Sequence, residues 1–133
     1  MPIYPELLNL EERPSIFGRS LATAQKWLEQ CNGHRSCRTH QSQFIPTRLI
    51  QIGGGTPPSI QLVNGSQLDY DQQYMTLSHC WGQARFQVLL KENEAAFMRG
   101  IVFKHLPKTF KDAILVARKL TITYLWIDSL CII

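Results

Sequence analysis

The run Tyr124-Leu-Trp-Ile-Asp-Ser-Leu-Cys-Ile-Ile133 is apolar almost throughout, and a chain carrying such a segment has few ways to fold. A strand apolar at both odd and even positions must be covered on both faces, the condition of a strand inside a parallel sheet flanked by helices. A second strand-like segment, Tyr74 to Cys80, alternates loosely and is closed by Trp81-Gly82, a pair suited to a tight turn. Between the two lies a helical pattern in which Phe110, Ala113, Ile114, Ala117 and Leu120 form one apolar stripe. Pro107 fits its first position, and Thr109 with Asp112 offers a capping box instead. Strand, helix and strand in that order predict an α/β fold.

Upstream, Val88 to Met98 reads as a further helix stopped at Gly100. Arg48-Leu-Ile-Gln-Ile52 and Ile60-Gln-Leu-Val63 alternate as strands around Gly53-Gly-Gly-Thr-Pro-Pro58, which predicts a hairpin with a longer loop, turned again at Asn64-Gly65. Ser20 can cap an amphipathic helix whose apolar positions are Leu21, Ala24, Trp27, Leu28 and Cys31, with a stop at Asn32-Gly33. Residues 1–19, with Pro2, Pro5, Pro14 and Gly18, read as an irregular leader.

With 133 residues, 44% hydrophobic and 18% charged, the chain has room for one modest domain plus an N-terminal extension. No apolar stretch reaches the roughly 18 residues of a membrane span, and no secretory signal opens the chain. The net charge of +4 is scattered rather than clustered among aromatics, which argues against nucleic-acid binding. Cys80 and Cys131 sit in strand-like apolar settings where a free thiol acts as a small buried hydrophobe, so an intracellular, cytoplasmic protein with reduced thiols is expected.

Ligands of open α/β sheets bind beyond the carboxyl ends of the strands. Ser78, His79, Trp81 and Gly82 end the first strand, and Asp128 and Ser129 interrupt the last, so parallel neighbouring strands would bring Asp128 near the Ser78-to-Gly82 turn. A carboxylate in an apolar run is costly to bury without partners, which singles out Asp128. The competing reading is that Asp128 serves a local backbone donor and Trp81 is core. His79 and Cys80, as adjacent strand residues, point to opposite faces and do not make a nucleophile pair. A separate constellation, Cys31, His34, Cys37 and His40, offers thiolates and imidazoles of the kind zinc takes in a tetrahedron, but ten residues would have to hold all four and turn sharply, whereas structural sites usually draw ligand pairs from two separated elements. The favoured reading there is a cysteine packed under the helix beside exposed histidines, with no zinc.

Leu77-Ser-His-Cys-Trp-Gly82 and Leu125-Trp-Ile-Asp-Ser-Leu-Cys-Ile132, with Leu106-Pro-Lys-Thr-Phe-Lys-Asp-Ala-Ile114 between them, resemble the core of the fungal heterokaryon incompatibility (HET) domain. Trp27-Leu28 with Cys31, His34 and Cys37, and Pro46-Thr-Arg-Leu-Ile50, are similar to what commonly precedes that domain. The resemblance implies a leader and helix over residues 1–45 and a truncated HET domain over 46–133. It implies a partial flavodoxin-like, TIR-like parallel sheet with flanking helices, preceded by a helix and a β-hairpin. The implied role is a signalling and interaction module of non-self recognition and regulated cell death, acting with other protein chains by self-association or with incompatibility partners. HET domains resemble TIR domains, some of which cleave NAD. On that likeness Ser78, Trp81, Gly82 and Ser129 would line a nucleotide crevice for NAD as substrate, and Asp128 would be the catalytic carboxylate. Two departures stand out. Thr121 occupies a position where the family commonly has Gly, and the family's motif continues past Ile133 with Gln and acidic residues, which implies an inactive enzyme here.

Overall fold

The computed structural model describes residues 16–39, 44–82 and 87–133. The chain divides into two compact units, Met1–Ser42 and Gln43–Ile133. In the first, α1 (Ile16–Gly33) and α2 (Arg35–Thr39) are separated by His34 alone. The helix begins before Ser20, so Ser20 lies inside it rather than capping it, whereas the stop at Gly33 falls where Asn32-Gly33 predicts. Trp27 on the apolar stripe is 67% exposed.

The second unit is mixed α/β. Its four strands, β1 (Arg48–Ile52), β2 (Ile60–Asn64), β3 (Met75–Leu77) and β4 (Tyr124–Ile127), lie in the order β2-β1-β4-β3. The parallel sheet expected from the sequence is therefore mixed: β3 and β4 run parallel, with Leu77 beside Ile127, while β1 is antiparallel to both β2 and β4. The first strand of the β1–β2 hairpin has the expected limits, and the second runs one residue further, to Asn64. Beyond it, Gly65 donates its N–H to the Thr47 carbonyl at 2.8 Å, and a Cβ at Gly65 would stand 1.9 Å from the Pro46 oxygen, so no larger residue fits this crossing.

Two elements are shorter than their sequence patterns. The helix expected from Val88 is α3 (Glu94–Arg99). Asn93 explains the difference, since its side chain accepts from Leu90 N at 2.8 Å and donates to the Val88 carbonyl at 2.9 Å, turning the preceding segment instead of winding it. Leu89 N is bound to the Ser129 carbonyl at 2.7 Å, which ties that segment to the end of β4. The final apolar run is strand only as far as Ile127, and Asp128–Cys131 forms a single helical turn, α5. Its burial alternates along β4, with Leu125 and Ile127 buried and Tyr124 and Trp126 half-buried, because the sheet is not covered equally on both faces.

Helix α4 (Lys108–Lys119) supplies the cover, burying Phe110, Ile114 and Ala117. Pro107 flanks its first turn, and its carbonyl accepts from Phe110 N and Lys111 N at 3.0 and 3.1 Å. The capping box does not form, because Asp112 takes the Lys108 ammonium at 2.6 Å. The helix closes in a Schellman arrangement, Thr121 N to Arg118 O at 3.1 Å and Ile122 N to Ala117 O at 2.8 Å, with Thr121 at φ 58°.

Candidate functional site

The parallel register of β3 and β4 places their carboxyl ends side by side, and both strands stop there for a local reason. Asp128 Oδ1 accepts the N–H of Ser129 at 2.7 Å, which folds the chain into α5. Asp128 Oδ2 accepts from Trp81 Nε1 at 3.0 Å, joining the segment after β3 to the end of β4. His79 completes the group: its Nδ1 lies 3.8 Å from Asp128 Oδ1, with the ring almost wholly buried and edge-on to Phe110 at 4.8 Å between centroids. Asp128 thus links two strand ends, and through His79 the cluster rests on the first turn of α4.

Among the residues singled out in the sequence, Asp128, Trp81 and Ser129 come together, and Gly82 turns the chain with φ 61°. Ser78 is exposed. The Ser129 hydroxyl is buried with no hydrogen-bond partner among the described residues, so its contribution to the cluster is its backbone. Cys80 is exposed, not buried as its apolar setting predicts, because β3 has ended at Leu77. Cys131 is buried, and desolvation pushes its thiol up to about 11, only partly offset by backbone hydrogen bonds from Ile127 and Ile50 and by the Arg48 charge. It stays protonated and unreactive at neutral pH.

His79 is the residue that sequence reasoning left out of the site. Its signal was available in the alternation of Ser78, His79 and Cys80, which leaves the middle residue facing inward. A second feature was not legible at all. A groove of about 440 Å³ runs along Phe44, Arg48, Tyr74, Thr76, Trp126 and Ile132 and includes none of the expected crevice residues. Arg48 at its edge is paired with Glu94 of α3 at 2.8 Å.

In the first unit, the ligand atoms of Cys31, His34 and Cys37 all lie within 4.8 Å of one another. His40 is outside the described residues.

Comparison with known proteins gives one family. Residues 74–133 match the family model described as heterokaryon incompatibility protein (HET). Neither the curated proteins nor the solved structures contain a match.

Proposed function

The C-terminal part of the chain carries a heterokaryon incompatibility domain, and from that premise we propose that it works as an interaction and signalling module of non-self recognition and regulated cell death. The observation that carries this reading is the engagement of Asp128. Both carboxylate oxygens accept hydrogen bonds from within the chain, at 3.0 Å from Trp81 and 2.7 Å from Ser129. A carboxylate committed in this way holds two strand ends in place. A carboxylate that stabilises charge on a ribose needs an oxygen turned toward substrate. In this reading Asp128, Trp81 and His79 fix the surface that partner chains meet, and the module acts in the cytoplasm by self-association or by pairing with an incompatibility partner. Trp81, 50% exposed while its indole N–H is anchored, suits such a contact, since a held aromatic loses little freedom on binding.

The alternative is a TIR-like domain that cleaves NAD, with Asp128 as its carboxylate and Ser78, Trp81, Gly82 and Ser129 along the crevice. The two separate in one experiment. The chain is expressed under an inducible promoter in a filamentous fungal host while viability and cellular NAD are followed together. The signalling reading expects loss of viability at unchanged NAD, abolished by Asp128→Ala. A fall in NAD that precedes death and disappears in Asp128→Asn would replace it with the enzymatic one.

A further inference from the structure

Six residues of continuous α-helix advance the chain by about 9 Å, too far for one ion to bridge. Cys31 and Cys37 are six apart, yet their sulfurs and the His34 imidazole lie within 4.8 Å of one another. The break at His34 accounts for this. Helix α1 ends at Gly33, His34 N bonds back to the Cys31 carbonyl at 3.0 Å, and α2 starts at Arg35. Cys37 Sγ and His34 Nδ1 are then 3.8 Å apart. That separation is about the edge of a tetrahedron whose centre lies 2.0–2.3 Å from nitrogen and sulfur, the bond lengths of zinc.

From this geometry we propose that Cys31, His34 and Cys37 form a zinc-binding site, two thiolates and one imidazole on a helix break, with water in the remaining position. The alternative of a packed thiol does not suit these residues, because Cys31 and His34 are exposed and Cys37 is half-buried. Nor is there a buried role for the sulfurs to lose. Binding releases the thiol protons, so affinity rises with pH. Zinc would fix the angle between α1 and α2. The site lies outside residues 74–133 in the sequence and does not depend on the function proposed for them.

The test uses the whole reduced chain and cobalt(II), which takes zinc-type sites and reports thiolate ligation by a sulfur-to-metal charge-transfer band. One equivalent of cobalt is expected to produce the band, and zinc to bleach it. Cys37→Ser and His34→Ala each weaken binding by about a hundredfold, at least what loss of a mere outer-shell partner costs a metal site, while Cys80→Ser leaves it unchanged. These substitutions fall on exposed or half-buried side chains, and an unaltered far-ultraviolet circular dichroism spectrum checks that each variant is folded. Absence of the band would overturn the site, as would a band unaffected by Cys37→Ser or lost in Cys80→Ser.

Discussion

A β-branched residue at φ 58° closes α4, and the cost falls on Thr121. Left-handed backbone strains any side chain with a branched Cβ, whereas Gly adopts it freely. Thr121 recovers a little through its hydroxyl, which donates to the Leu120 carbonyl at 2.7 Å. Thr121→Gly is expected to raise stability by about 1 kcal/mol, the strain relieved less the extra freedom of the unfolded chain. A urea midpoint that stayed put or fell would show that the hydroxyl matters more than the strain. Cys131 gives a prediction in pH. Its thiol titrates near 9.0 when unfolded and at about 11 when folded, so the unfolded state loses its proton first. The contribution is whole below pH 9 and lost as pH rises toward 11, by about 3 kcal/mol at most. Denaturant midpoints across that window should fall more steeply for the native chain than for Cys131→Ala, and parallel slopes would refute the assignment. Asp128 and Trp81 were legible at this scale because a charge in an apolar run demands partners. The inward side of His79 could be read from its alternation with Ser78 and Cys80, but its seat against Phe110 could not, since that ring belongs to a distant helix.

Elements join these residues into a working arrangement. Phe110 is the largest fully buried side chain of α4 and also the ring on which His79 rests. Phe110→Ala therefore removes core volume and the support of the strand-end cluster together, with an expected loss of about 3–5 kcal/mol. Thermal or urea denaturation measures it, and a loss under about 1 kcal/mol would mean that α4 is not what holds the sheet. The stripe of α4 was readable because its period of 3.6 persists over three turns. Local pattern failed where a side chain redirects the backbone: Asn93 turns the chain ahead of α3, and Asp128 ends β4 by binding its neighbour's N–H. The antiparallel seam between β1 and β4, with Ile50 beside Leu125, left no sequence trace at all. Apolar strands far apart in sequence carry no mark of which edge they will share.

At the scale of the molecule, every residue of the described hydrophobic core lies between Leu49 and Cys131, within the unit Gln43–Ile133. A unit of this size buries enough apolar surface to fold alone, though with a narrow margin. Trp27 of α1, by contrast, is 67% exposed. If the core is self-sufficient, a chain comprising residues 43–133 keeps its fold, and its urea midpoint stays within the error of that of the full chain. Its proton–nitrogen NMR spectrum should superpose on the full-chain signals of those residues, with Trp81 Nε1 still shifted by its bond to Asp128. Collapse of signal dispersion in the shorter chain would mean that residues 1–42 supply cover the sheet cannot do without. Retained dispersion would place the incompatibility-domain surface and the cysteine-histidine cluster on parts of the chain that fold separately, so that a metal bound at the second could act on the first only through the connection between them.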